Sequence, residues 1–366
     1  MNHPYTLKDP SQILTPALLI YPDLVEANIK ATLKLTGNDP NRWRPHIKTA
    51  KIAAVIRQMI NHGIRNFKCS TTLELLTACE AGAGDVLLAF PVTGANANRA
   101  IAIANRFPKT KISVLIESKE QAATWKETSL GIFIDINPGM NRTGISQERA
   151  DDIRDLAKQL GGSFRGLHYY DGHVKGEDAH AGYDRLIEII KALSKAGVEP
   201  QEVITSGTPA APFALSHKGL GEGPFVHRIS PGTVVYSDMT SGQQLPDLGY
   251  APAAIVLATV ISHPAPNMFT CDAGHKSVSA DAGIPTCEVA GSPELKPMKP
   301  SEEHLPIDAS AAGQVPAIGS HVYLIPRHVC PTVNNFDEAL MIVDGEIKGI
   351  EKVTARGHES PLVNAA

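Results

Sequence analysis

At 366 residues, with 43% hydrophobic and 20% charged side chains, the chain has the make-up of a folded globular protein of one large or two ordinary domains. Its formal charge of −4 offers no basic field for nucleic acid, and its longest uncharged apolar run, around 248–261, holds a proline and is too short to cross a bilayer. Five cysteines, an odd number without framework spacing, and an N-terminus lacking a basic-then-apolar pattern point to a reducing, cytoplasmic setting with free or metal-bound thiols.

A short apolar run after Thr15-Pro16 predicts a strand over 17–21, and a helix follows with Asp23 as its N-cap. Residues 44–48 read as a short strand and 52–62 as a helix stopped by Gly63. The same alternation continues. Strands are predicted over 67–70, 86–90, 112–116, 132–136, 164–169 and 202–205. Helices are predicted over 72–81, 96–106, 119–125, 147–160 and 179–196. Short strands alternating with longer helices argue for parallel βα units. About eight of them before residue 240 predict a (β/α)8 barrel over 22–245, with an open doubly wound sheet as the alternative; a barrel puts chemistry at the C-terminal ends of its strands. After residue 245 prolines break the pattern, and 255–261, 276–279, 321–325 and 340–343 read as strands of a second, mainly β domain over 246–366. The polar, proline-bearing stretch 293–310 reads as a loop.

Several strand ends carry reactive side chains. Lys48, in Arg44-Pro-His-Ile-Lys48-Thr, follows apolar residues and has basic neighbours. Partial desolvation and like charge both disfavour an ammonium, and an amine so placed can hold an aldehyde cofactor as a Schiff base; a solvated surface lysine is the other reading. Asp135 and Arg142 flank the turn after the 132–136 strand, where a guanidinium binds a phenolate oxygen or a carboxylate, or simply faces solvent. In Gly166-Leu-His168-Tyr169-Tyr170-Asp-Gly-His173, alternation puts His168 and Tyr170 on one face and Tyr169 on the other. His173, just beyond, reads as a general base or a phosphate ligand. Ser206, Gly207 and Thr208 follow a strand and offer backbone N–H groups to a phosphate. In Pro326-Arg-His328-Val-Cys330-Pro-Thr-Val-Asn334, His328 and Cys330 share a face of an extended segment. Imidazole and thiolate together suit zinc; a loop histidine beside a buried cysteine is the plainer reading.

Arg44-Pro-His-x-Lys48-Thr resembles the cofactor-lysine motif of the D-threonine aldolase and D-serine dehydratase family, fold-type III pyridoxal-phosphate enzymes related to the alanine racemase N-terminal domain. The resemblance covers nearly the whole chain. It implies a cofactor barrel and a β domain that the first 21 residues join, working as a homodimer. It implies that Lys48 carries pyridoxal 5'-phosphate, that Arg142 faces the cofactor hydroxyl, and that Tyr170 lies against its ring. The turn Ser230-Pro-Gly232-Thr233 with Tyr236 resembles the segment that completes the family's phosphate cup, although Ser230 stands where an arginine is usual and Arg228 is a displaced candidate for it. His328 and Cys330 match the dehydratases' metal pair, for zinc, manganese or magnesium, inside a Pro331-Thr332 frame like that of the aldolases. Asp272-Ala-Gly-His-Lys276-Ser-Val-Ser279-Ala-Asp281 resembles a structural strand of the family. The implied activity is cleavage of D-threonine-type 3-hydroxy amino acids to glycine and an aldehyde. Dehydration of D-serine or D-3-hydroxyaspartate is the alternative, with a small amino acid as the only partner besides the second subunit.

Overall fold

The computed structural model describes residues 3–174 and 176–362. The first two and last four residues of the span expected for the β domain, and Lys175, lie outside the described residues. The chain forms two compact units. One is built from residues 32–48, 56–232 and 358–362, the other from 3–31, 49–55 and 233–357.

In the first unit seven strands, Asn66–Cys69, Asp85–Leu88, Lys111–Ile116, Gly131–Asn137, Phe164–Tyr169, Glu202–Thr205 and Val226–Ile229, pair in parallel in chain order. Nearly every residue in them is buried, as strands covered on both faces must be. Helices between them include Thr72–Glu80, Gly94–Arg106, Lys119–Trp125, Ala150–Leu160 and Asp178–Lys195. Their starts are chemically marked. Thr71 and Ser118 accept from the backbone N–H of Glu74 and Gln121, and the Glu74 carboxylate reaches back to the N–H of Ser70. The helix expected from 147 begins at Ala150, because Ile145–Ser146 pairs with the end of the Gly131–Asn137 strand instead.

Residues 43–47 join the two edges of this sheet. Trp43 bridges Ile229 and His46 bridges Lys68, both in parallel. The Arg44 N–H donates to the Ile229 carbonyl at 2.9 Å, and the Lys68 N–H donates to that of Pro45 at 2.9 Å. The seven strands and this eighth segment close a parallel barrel, which excludes the open sheet.

The interior is layered. At the N-terminal ends of the strands Arg44, wholly buried, donates to both oxygens of Glu202 at 2.7 and 2.8 Å, to Asp85 at 2.9 Å and to the Phe67 carbonyl at 3.0 Å. Arg165 joins Asp85 at 2.9 Å, and Arg228 pairs with Glu202. Above them Leu87, Leu115, Phe133 and Ile204 form an apolar plug. The next inward positions at the C-terminal ends include polar Asp135, His168 and Ser206.

In the second unit the strand Ala254–Ala265 is central, pairing with Ala17–Ile20, Met268–Cys271 and His321–Pro326. Its alternate residues serve two cores: Val256, Ala258 and Val260 pack with Phe269, Leu305 and Leu324, while Ile255 and Leu257 pack with Leu19, Tyr21 and Ile342. Two expectations fail here. Residues 276–279 form a turn, with Ser277 and Val278 both donating to the Gly274 carbonyl, so they belong to no ladder. The stretch expected as a loop over 293–310 contains the strands Lys296–Pro297 and Leu305–Asp308, anchored by buried Leu305 and Ile307 that its polar composition masked.

The ion layer makes a stability prediction. Burial pushes the Asp85 carboxyl up, but Arg44 and Arg165 outweigh it and hold it down, from 3.8 to about 2. A carboxyl depressed in the folded state stabilises above its unfolded value, and that contribution, roughly 2 kcal/mol, fades as pH falls through 4 to about 2. Asp85→Asn is expected to cost about 2–4 kcal/mol at pH 7, because two buried guanidiniums lose a carboxylate, and to flatten part of the acid decline. Urea unfolding at pH 7 and through the acid range measures both effects.

Candidate active site

The C-terminal ends of the barrel strands gather a polar cluster within the first unit. Asp135 and His168 are register partners on adjacent strands, so their side chains meet: His168 Nδ1 lies 2.7 Å from Asp135 Oδ1. A carboxylate only accepts, so Nδ1 carries the proton and Nε2 is left as an acceptor. The other Asp135 oxygen accepts from Thr143 Oγ1 at 2.7 Å. Facing His168 Nε2, at 3.4 Å, is the ammonium nitrogen of Lys68, a side chain only 2% exposed. Burial, followed by the charges of Lys48 and Arg142, brings the Lys68 amine down to about 7. Burial and Lys68 likewise lower His168, which stays a neutral imidazole.

Lys48 ends the closing segment and is half-buried. Tyr170, directed inward like His168, has the Arg142 guanidinium 4.6 Å and the Lys68 amine 5.5 Å from its ring centroid. Tyr169 points outward instead, against Tyr183 and Gln147, as alternation requires. Two turns close on the Tyr170 ring: a Cβ at Gly172 would fall 2.2 Å from its phenolic oxygen, and one at Gly207 would fall 3.1 Å from a ring carbon. Beside Gly207, Ser206 takes a left-handed φ of 63° and buries its hydroxyl with no hydrogen-bond partner. Thr208 is buried too. At Gly232 a Cβ would meet the His46 carbonyl oxygen at 2.3 Å, so only glycine lets this turn lie against the segment that carries Lys48. Arg228 is not a displaced phosphate ligand: its guanidinium donates to Asn41 and pairs with Glu202 in the ion layer. His173 is exposed on the turn after Tyr170, outside the buried cluster.

The remaining candidates fall in the second unit. Tyr236 is buried and donates its hydroxyl to the Ala50 carbonyl at 2.8 Å. His328 precedes the short helix Val329–Val333, which places Cys330 on its first turn. Cys330 Sγ lies 3.0 Å from Thr49 Oγ1 and 3.6 Å from Thr233 Oγ1. His328 Nδ1 bonds Asp281 Oδ2 at 2.6 Å. Burial lowers that imidazole, but Cys330 and Asp281 outweigh it and raise it to about 9. None of the five cysteines is in a disulfide.

These residues fit an aldehyde-bearing phosphate cofactor on one observation above all: the Ser206 hydroxyl is buried and unsatisfied beside a glycine turn, as a site awaiting anion oxygens would be. The fit to a metal is chemical. A carboxylate holding one imidazole nitrogen leaves the other for a cation, with a thiol two residues on. Among the described residues no group of three or more His, Cys, Asp or Glu side chains could hold an ion, so His328 and Cys330 supply at most part of a coordination sphere. Sequence reasoning missed Lys68. The signal was present: a lysine between Phe67 and Cys69 in a short apolar strand has to bury its amine.

Comparison with known proteins gives concordant results. Residues 20–239 match the family described as the alanine racemase N-terminal domain, and 253–342 match the putative serine dehydratase domain. A D-threonine aldolase of an Arthrobacter species is 27% identical over 95% of this chain and 94% of its own. A D-threo-3-hydroxyaspartate dehydratase of a Delftia species is 25% identical over 93% of this chain and 97% of its own. The crystal structure of a D-threonine aldolase from Filomicrobium marinum superposes with a TM-score of 0.82 and 25% identity, covering 94% of this chain and 96% of that one. No helix among the described residues is long and apolar enough to cross a membrane.

Gly232→Ala is expected to destabilise the protein by about 1–3 kcal/mol, since the new methyl group meets backbone rather than a movable side chain. Gly242→Ala, with nothing within 4 Å of its Cβ, is the control and should be neutral or slightly stabilising. Urea midpoints of the two variants decide whether the Gly232 turn pins the segment of Lys48.

Proposed function

Because the chain belongs to the family of the alanine racemase N-terminal domain, we propose that it is a pyridoxal-phosphate- and metal-dependent lyase that cleaves D-threonine-type 3-hydroxy amino acids to glycine and an aldehyde. The supporting observation is the joint one. Similarity to a D-threonine aldolase runs through both units, and the barrel end presents a buried amine, a guanidinium and an unsatisfied hydroxyl beside one aromatic ring. Lys48 would hold the cofactor, Arg142 and Tyr170 would flank its ring, and Ser206, Gly207, Thr208 and Gly232, with Thr233 and Tyr236 as further candidates, would hold its phosphate. His328 and Cys330 would hold the divalent ion. Pyridoxal phosphate, when bound, supplies an electron sink for charge developing at the substrate Cα, and the metal supplies Lewis acidity.

The chain's own residues do the rest. Asp135 fixes the His168 tautomer, and His168 holds the Lys68 amine. Arg142 lies over the Tyr170 ring and would offer its donors to an anionic oxygen. In this reading the unit of residues 32–48 and 56–232 binds the cofactor, the other unit binds the metal, and two copies associate.

A second reading rests on Cys330. A His-x-Cys pair is the dehydratase-like form of the motif, and the similarity to the Delftia dehydratase extends over this segment. Loss of water from D-serine or D-3-hydroxyaspartate would then give an α-keto acid and ammonia.

Product analysis separates the two. With D-threonine or D-allothreonine the expected products are glycine and acetaldehyde, with both L-isomers untouched; ammonia and a keto acid, with no glycine, would establish the dehydratase. Borohydride reduction is expected to attach the cofactor to Lys48 in a mapped peptide, and attachment to Lys68 would reverse the assignment. Chelation should stop turnover and leave the visible absorbance of the cofactor intact, as should Cys330→Ala. Full activity after either treatment would make His328 and Cys330 structural.

A further inference from the structure

Nothing in the chemistry so far uses Lys68. It lies on the strand next to the Lys48 segment, through the bridge between His46 and Lys68, and its side chain is directed into the barrel. One N–H points at His168 Nε2, 3.4 Å away, and His168 is backed by Asp135 at 2.7 Å and Asp135 by Thr143 at 2.7 Å. On the other side is the Tyr170 ring. A structural lysine in so buried a place would pair with a carboxylate. Lys68 instead contacts a neutral imidazole and an aromatic ring, while Asp135 is committed to His168 and Thr143.

We propose that Lys68 is a proton-transfer residue of the barrel site, an amine held by His168 and Asp135 that accepts the proton of the substrate hydroxyl. This rests on the lyase reading. The nitrogen lone pair forms the new N–H bond. The electrons of the broken O–H bond become the aldehyde C=O as Cα–Cβ breaks, the Cα–Cβ electron pair stays with Cα, and the proton count is restored when that pair takes a proton to give glycine. The groups that face Lys68 favour the unprotonated amine. Burial, Lys48, Arg142 and Arg44 lower its affinity for a proton, Asp135 raises it, and it lies near 7. Asp171 also senses its charge. An amine poised near working pH serves as both acceptor and donor. His173, the candidate base from sequence, is exposed on the turn beyond Tyr170.

The test begins without turnover. The full chain, carrying lysine labelled with carbon-13 at Cε and freed of cofactor with hydroxylamine, should show one resonance titrating near pH 7 that is absent from Lys68→Met. Arg142→Met should move that midpoint up and Asp135→Asn should move it down. No lysine titrating below about pH 9 would overturn the proposal. In the loaded enzyme, Lys68→Met should lose about 10²–10⁴-fold in kcat while still taking cofactor on Lys48. Methylamine should restore part of the loss. Lys68→Arg keeps the cation and its packing but cannot release a proton, so it should be equally slow. A Lys68→Met or Lys68→Arg enzyme within a few-fold of wild type overturns the role of Lys68 alone. A wild type inert towards every D-3-hydroxy amino acid overturns the lyase reading, and this role with it.

Discussion

Closure of the barrel depends on one side chain. The segment 43–47 is too short to count as a full strand and is stitched to its neighbours by few backbone hydrogen bonds. Arg44 makes up the difference from inside. Its guanidinium reaches Glu202, Asp85 and the Phe67 carbonyl, so one residue ties the closing segment to three other strands. A buried arginine survives only with its charge matched, and the two carboxylates that match it keep it protonated although burial opposes this. Lys48 stands four residues further along the same segment, so its place at the barrel mouth follows from where Arg44 is held.

That arrangement also separates stability from chemistry along the barrel axis. The ion layer sits at the N-terminal ends of the strands, where carboxylates and guanidiniums satisfy one another. The Leu87, Leu115, Phe133 and Ile204 plug then seals it from above. Side chains one step higher include incompletely satisfied groups: an amine on an imidazole, a serine hydroxyl without a partner, an arginine over an aromatic face. Buried groups of this kind at a barrel mouth are the ones a ligand, water or ion can complete.

Much of this was legible from the sequence, for a physical reason. Strands buried on both faces read as apolar runs, and the helices between them carry caps and glycine stops, so the alternation up to the Glu202–Thr205 strand comes close to the observed elements. The inward direction of His168 and Tyr170 follows from period two alone. Closure through residues 43–47 was not legible, because it depends on a contact between Arg44 and Glu202 across 158 positions. Nor was the turn at 276–279, where Lys276, Ser277, Val278 and Ser279 alternate as in a strand but pair with no neighbouring strand. Lys68 was overlooked because a lysine is expected outside; its meaning appears only once His168 and Asp135 are known to stand behind it.

The two lysines at the barrel end bear on the choice between cleavage and dehydration in the proposed reading. The reactions differ first in which proton leaves. Carbon–carbon cleavage begins with the hydroxyl proton, and dehydration begins with the proton on Cα. A site with a single amine would have to use it for both tasks, and that amine also binds the cofactor in the proposed assignment. Here a second amine, on the neighbouring strand and held by its own imidazole and carboxylate, can be dedicated to the hydroxyl, leaving Lys48 the Cα side. In the proposed reading the surroundings of Lys68 lower its affinity for a proton, which would favour cleavage despite the thiol of Cys330.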